Sequence, residues 1–217
     1  MSKNMWILTE ERPKKEVLKK IIEKFCLDRG IKANFSTLRI NPLMDGNKFT
    51  FTYELEGISS KDINKFYIKT VSGNSSFVDF LIFFQEKEPI EGEEPLYAIE
   101  ETKTDDSESR NTGVYQRCSK FVYLNFYYPN CKKIMLYNLR VIQKDKPTQT
   151  NIFGTRMLLT LGVEILGKRL DPEVFKRFDN LEDLISFKEA MRKAPKGNTP
   201  IFITKDTNSI SVSGRLF

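Results

Sequence analysis

The chain of 217 residues contains no histidine. That absence excludes imidazole general-base chemistry, serine–histidine hydrolysis and histidine-ligated metal centres, so any catalysis falls to carboxylates, lysine, tyrosine or a metal held by oxygen. Cysteine is scarce as well. Cys26, Cys118 and Cys131 are odd in number and lack Cys-x-x-Cys spacing, so reduced core thiols are expected rather than a disulfide framework or a zinc site. No Gly-x-x-x-x-Gly-Lys-(Ser/Thr) loop occurs, which excludes ATP-driven action of the P-loop type. No apolar run is long enough to cross a bilayer, and Met1 to Arg12 has no signal-peptide core; a cytoplasmic protein with no membrane partner is expected.

What is present suits a folded domain with a polyanionic partner. Hydrophobic residues make up 40% of the chain, enough for a core over one domain spanning 1–217. The net charge of +6 and pI near 9.1 permit nucleic acid as partner. Acid is nevertheless crowded locally, at Glu100, Glu101, Asp105, Asp106 and Glu108, as a cation between a protein and DNA would need. For Asp105, Asp106 and Glu108 a flexible acidic loop is an equal reading.

The most informative stretch is a pair of apolar runs. One is Phe77–Phe84, opened by Asp79, and the next is Leu96–Lys103, closed by Glu101-Thr102-Lys103. Residues two apart on a strand share a face, so Glu101 and Lys103 face the same way. A run apolar on both faces reads as a central strand, where carboxylates are rare. If the two runs are neighbours joined by the polar turn Gln85 to Pro95, Asp79 and Glu101 converge near one sheet end with Lys103 beside them. Two carboxylates and an ammonium suit Mg²⁺ and a phosphodiester. With 29 acidic residues in the chain, roughly three (Asp/Glu)-x-Lys triplets are expected on composition; the one that occurs is Glu101-Thr102-Lys103. The bland alternative is a solvated pair at a strand end with Asp79 as a strand cap.

Asp, a spacer crossing a hairpin and Glu-x-Lys together resemble the PD-(D/E)XK nuclease superfamily, and type II restriction endonucleases in particular. Val78 stands where that pattern has proline. The resemblance covers about the middle third of the chain. It implies an α/β (α+β) fold with a central mixed β-sheet flanked by helices, a restriction-endonuclease-like core over 34–138, and 139–217 completing the domain or contacting DNA. It further implies Mg²⁺-dependent hydrolysis of double-stranded DNA leaving 5′-phosphate ends. Asp79, Glu101 and the Thr102 carbonyl would bind one Mg²⁺ or two, with Lys103 positioning water and offsetting charge. A lysine with a reference pKa of about 10.4 is a poor base at neutral pH, so those roles are preferred to proton abstraction. Cutting both strands of a palindrome implies a homodimer. The rivals are a structure-directed repair, phage or recombination nuclease of the same superfamily and a non-catalytic DNA-binding protein.

Around this centre, Thr9 is expected to cap a helix with Val17, Leu18, Ile21, Ile22 and Phe25 at helical spacing, ended by Gly30. Its other face is lysine-rich, and its Glu23 is a candidate acid for the metal. Strands are expected at Asn34–Ile40, Lys48–Glu56 and Lys65–Val71. A helix opening at Gly113 is expected to pack through Val114, Cys118, Phe121, Val122 and Asn125-Phe126, with Arg117 and Lys120 outward. Arg110, Asn111, Gln116, Arg117 and Lys120 are the candidate DNA-phosphate contacts, the alternative being polar side chains that only face water. Lys132–Asn138 reads as a strand completing a βαβ step. Arg156–Leu166 fits strand or helix alike. A helical region from Asp171-Pro172 to Lys193 and a hairpin over Pro200–Phe217 close the chain, the latter with Lys205, Asn208, Ser209, Ser211, Ser213 and Arg215 able to meet base edges.

Overall fold

Period-two alternation of apolar residues builds a sheet with two buried faces. The computed structural model describes residues 3–71, 78–102, 113–137, 147–193, 202–205, 207 and 210–213. Among these the chain runs β1 (Lys3–Thr9), α1 (Lys15–Arg29), β2 (Ala33–Asp45), β3 (Lys48–Ser60), β4 (Ile63–Thr70), β5 (Phe80–Gln85), β6 (Tyr97–Thr102), α2 (Gly113–Tyr127), β7 (Lys132–Tyr137), α3 (Gln149–Thr160), β8 (Glu164–Leu166), α4 (Leu181–Lys193), β9 (Phe202–Lys205) and β10 (Ile210–Ser213). The chain divides into two units, Met1–Phe178 and Asp179–Phe217.

The first unit holds an eight-stranded sheet in the order β2-β3-β4-β1-β5-β6-β7-β8. It is mixed: β1 is parallel to β4 and antiparallel to β5, β5 is antiparallel to β6, and β6, β7 and β8 are parallel. This is the α/β architecture expected, with β6–α2–β7 as its parallel step, since parallel neighbours need a crossover. The sheet reaches outside 34–138 at both ends, taking in β1 and α1 before it and α3 and β8 after it.

Alternation sorts the core. Ile134 and Leu136 of β7, Tyr97 and Ile99 of β6, and Phe80 and Ile82 of β5 join Val17, Leu18, Ile21, Ile22 and Phe25 of α1 in one cluster. Met135, Tyr137 and Ala98 point the other way, into a cluster with Cys118, Phe121 and Leu124 of α2 and Leu158 of α3. Each fully buried aliphatic side chain contributes about 1.5–3 kcal/mol, so both helix layers are held chiefly by this area. All three cysteines are free and buried, and burial pushes the Cys118 thiol up to about 11 and the Cys131 thiol up to about 12. They are core thiols, as expected, and poor nucleophiles.

Several elements depart from expectation for identifiable reasons. Thr9 does not cap α1. It ends β1, buried, with its hydroxyl donating to the Glu11 carbonyl at 3.0 Å, while Lys14 takes the N-cap position without a side-chain cap bond. Gly30 does end α1, left-handed at φ 66°, with the Ile31 amide donating back to the Cys26 carbonyl at 2.9 Å, the geometry glycine tolerates best. β2 continues through Pro42 to Asp45, which an edge strand permits. The ambiguous Arg156–Leu166 segment divides between α3 and β8. In α2, Val122 and Phe126 are exposed rather than packed, and Leu124 takes the inward position.

The second unit comprises α4 and the antiparallel β9–β10 pair. α4 starts at Leu181, not near Pro172, because Asn180 caps it, its side chain accepting from the Asp183 amide at 2.9 Å. Of the expected C-terminal hairpin, Phe202–Lys205 and Ile210–Ser213 pair antiparallel, while Asn208, Ser209 and Arg215 lie outside the described residues.

Candidate active site

β6 carries two adjacent glutamates, and alternation sends them to opposite faces. Glu100 follows Ala98 toward α2 and is buried. There its carboxylate accepts from Lys120 Nζ at 2.8 and 2.9 Å and from Arg117 Nε at 3.0 Å. Burial pushes this carboxyl above its usual range; the Lys120 hydrogen bond pulls against that, and the nearby Asp79 charge adds to the upward push. Glu101 follows Ile99 toward α1, where it lines a cavity of about 460 Å³.

Asp79 reaches the same cavity from the neighbouring strand. Phe80 stands level with Ile99 across the β5–β6 pair, so Asp79, one residue earlier, lies beside Glu100 and Glu101. Its Oδ2 accepts from the Glu101 amide at 2.6 Å. That charge-assisted bond fixes the carboxylate against the end of β6.

The remaining wall comes from the β1–α1 connection. Glu10, Glu11, Arg12, Lys14 and Val17 line the cavity with Asp79, Phe80, Glu101 and Arg117. It therefore mixes acids with cations at the N-terminus of a fifteen-residue helix, where the helix dipole favours an anion. Among the described residues, no lysine or arginine forms an ion pair with Asp79, Glu10 or Glu11.

The opposite end of the same strands is arranged otherwise. Asp28 at the end of α1 pairs with Lys24 at 2.7 Å and Lys132 at 2.6 Å, and Glu164 pairs with the same two lysines at 2.5 and 2.8 Å. Tyr97 donates its hydroxyl to Asp28 at 3.1 Å. Burial, then the Asp28 charge, pushes the Tyr97 hydroxyl up to about 12.

Asp79 and Glu101, placed together on the sequence, meet at one cavity. Thr102 follows them at the end of β6, buried. Lys103, Arg110 and Asn111 lie outside the described residues, as do Asp105, Asp106 and Glu108; Gln116 sits in α2, its side chain outside the description. Arg117 and Lys120 do not point outward, because the buried Glu100 carboxylate draws both in. Glu23 is half-exposed, pairs with Lys19 at 3.7 Å and does not line the cavity. The acids supplied from that side are Glu10 and Glu11, which sequence reasoning missed. Their signal was the short run Met5–Leu8: read as a strand, it makes Glu10-Glu11-Arg12 a strand-to-helix connection beside the site.

Among the described residues no group of three or more histidine, cysteine or acidic side chains is arranged to hold a metal ion. The donors at the cavity are nevertheless hard carboxylate oxygens with no soft ligand among them. That set suits Mg²⁺, which binds through one or two carboxylates and leaves other positions to water and phosphate. Comparisons with protein-family descriptions, with curated proteins and with solved structures found no match. Among the described residues no helix is long and apolar enough to cross a membrane.

Proposed function

We propose that the protein is a Mg²⁺-dependent endonuclease that hydrolyses phosphodiester bonds of double-stranded DNA, in the manner of a type II restriction enzyme. The observation that carries this reading is the meeting of Asp79 and Glu101 at one cavity, with the Asp79 carboxylate bound to the Glu101 amide. The chain order around them supports it too: α2 follows β6 and packs on the sheet before the chain returns into parallel β7, and a helix against the sheet after the catalytic strand is what the PD-(D/E)XK resemblance implies.

In this reading Asp79, Glu101 and the Thr102 carbonyl hold Mg²⁺. When bound, the ion supplies Lewis-acid stabilisation for charge growing on the phosphate. The Glu101 amide keeps Asp79 oriented. Arg12, Lys14 and Arg117 bring positive charge to the cavity wall and draw in the phosphate backbone. Lys103, which lies outside the described residues, would orient water for in-line attack, leaving a 5′-phosphate. A two-fold homodimer would present two such sites to the two strands of a palindrome.

The test is cleavage of a large phage DNA and a supercoiled plasmid with Mg²⁺ and with EDTA, wild type beside Lys103→Ala and Asp79→Asn. Discrete Mg²⁺-dependent bands, absent in both variants, are expected. Smearing or nicking would point to a structure-directed nuclease of the same superfamily. Absence of metal-dependent cutting, or equal cutting by the variants, would sink the enzyme reading and leave DNA binding alone.

A further inference from the structure

The β2–β3 hairpin projects at the same end of the sheet as the cavity. Thr70 of β4 stands level with Thr9 of β1, and Thr52 of β3 stands level with Lys69 of β4. Lys48 to Phe51, with the end of β2 paired to them, therefore lie beyond the last register that β3 shares with β4. Measured along β2, whose three steps from Pro42 to Asp45 span the same stretch, the tip reaches about 10 Å beyond Tyr53. Three large apolar side chains sit there in water: Met44, Phe49 and Phe51 are 53, 63 and 65% exposed. A single exposed apolar residue is ordinary, whereas three at one tip form a patch.

The tip is also strained in a specific way. Phe51 has φ 56°, the one non-glycine residue in the left-handed region among those described, an unfavourable conformation for a side chain of this size. It sits in a bulge: Pro42 stands opposite Tyr53 and Met44 opposite Phe49, so the intervening stretch is longer on β3. The bulge is pinned on three sides. Thr50 donates its hydroxyl to the Leu43 carbonyl at 3.0 Å, the Thr52 amide donates to the Thr50 hydroxyl at 3.2 Å, and the Thr70 hydroxyl donates to the Phe51 carbonyl at 3.2 Å. Ordered hydrogen bonds thus hold an aromatic ring in solvent at a position where glycine would be unstrained.

The last of those bonds connects the tip to the site. Thr70 neighbours Thr9, which lines the cavity, so two strand spacings, about 10 Å, separate the Phe51 backbone from the cavity wall. Arg12, also on that wall, lies over the ring of Tyr53 at the base of the bulge, 5.9 Å from its centroid. Aromatic tip, guanidinium and carboxylate cavity follow one another along one sheet end. This order fits a nucleic-acid strand, whose bases offer π-faces and whose backbone offers phosphates.

We propose that the tip of the β2–β3 hairpin is a base-stacking arm. Phe49 and Phe51 take unstacked bases of the strand whose phosphate enters the Asp79–Glu101 cavity, and Met44 supports them. The inference rests on the nuclease reading and adds to it that the arm wedges open the duplex, exposing the base faces that Phe49 and Phe51 take.

The experiment measures anisotropy of fluorescent single-stranded and duplex oligonucleotides containing 2-aminopurine, with Ca²⁺ in place of Mg²⁺, on the full chain. Wild type is compared with Phe49→Ser, Phe51→Gly and Asp79→Asn. Phe51→Gly separates stacking from folding: relief of the left-handed strain raises or preserves Tm, while loss of the ring weakens binding about 10-fold and removes the 2-aminopurine quenching. Weakened binding and lost quenching on the duplex are the expected result; loss confined to the single strand overturns the wedge. Wild-type binding that Phe49→Ser and Phe51→Gly match within twofold overturns the arm and leaves the site reading intact. Failure of wild type to bind either oligonucleotide overturns both. Self-association that disappears in Phe51→Gly, with oligonucleotide binding unchanged, assigns the tip to a contact between copies and also overturns the arm.

Discussion

The two ends of the parallel strands use similar residues to opposite effect. At the N-terminal end of β6, β7 and β8, Asp28, Glu164, Lys24 and Lys132 form an alternating ring in which each acid meets both lysines. At the C-terminal end of β6, Asp79 and Glu101 share an open cavity with Glu10, Glu11, Arg12, Lys14 and Arg117. The first arrangement neutralises itself and ties α1 to β7 and β8. In the second, Asp79, Glu10 and Glu11 form no ion pair with a lysine or arginine among the described residues, around a space a ligand can enter. Acids and lysines in the sequence cannot by themselves say which they will become; what decides is whether the geometry lets opposite charges close on one another.

Four predictions sharpen this contrast. The largest effect is expected for Asp79→Asn and Glu101→Gln, which should lower Mg²⁺-dependent DNA cleavage by about 10³-fold or more with little change in Tm. Asp28→Asn and Glu164→Gln should leave cleavage within a few-fold. Equal losses from both ends would erase the distinction.

Next is Glu100→Ala, which strands Arg117 and Lys120 beside a buried hole. The two cations keep 26% and 35% of their side chains in water, so the loss should fall below the roughly 3–5 kcal/mol of a fully buried pair, readable as a lower urea midpoint. Glu100→Gln, keeping shape and acceptor, should lose less. Because burial raises the Glu100 carboxyl, its own pH-linked contribution is fully present below the usual glutamate pKa and is lost as pH rises through its raised value.

The Asp28–Glu164 ring should respond to pH with the opposite sign. Burial works against ionisation of both acids, but hydrogen bonds from Lys132 and Lys24 outweigh it and hold both carboxyls below their ordinary values of 3.8 and 4.5. Their stabilisation is present above those values and is lost as pH falls through the depressed ones. The stability gap between wild type and Asp28→Asn/Glu164→Gln in urea titrations should therefore be widest above about pH 5 and close toward pH 2. A gap that persists at pH 2 would contradict the ring's ionic role.

The smallest effect is expected for Lys132→Met. Its ammonium is partly exposed, so solvent screening limits the loss to about 1 kcal/mol, checked by thermal melts at low and high salt. Screening by salt should shrink the difference further.

Much of the sheet was legible because its signal is local. Phe80–Gln85 and Tyr97–Thr102 are dense apolar runs; the second lies within one residue at each end of the expected Leu96–Lys103, and the first starts three residues into the expected Phe77–Phe84. Lys132–Tyr137 likewise forms the parallel strand after α2. β1 was missed because seven residues at a chain end carry no period long enough to separate a strand from the approach to a helix. Arg117 and Lys120 were placed outward on helical spacing alone. Only the position of Glu100 on the facing strand explains why they turn in.

The sequence by itself determined the chemistry open to this protein and which side of the sheet each β6 residue takes. No histidine, few cysteines and a strict two-residue period are properties of the chain, and they hold wherever it folds. Tertiary structure alone decided that the β1–α1 connection would wall the site, that Glu100 would be spent in an internal ion pair while Glu101 lines a cavity, and that the β2–β3 tip would project at the same end. Each of these depends on strand order and register between residues tens of positions apart. Such pairings are set by how whole faces pack, and no local run of residues encodes them.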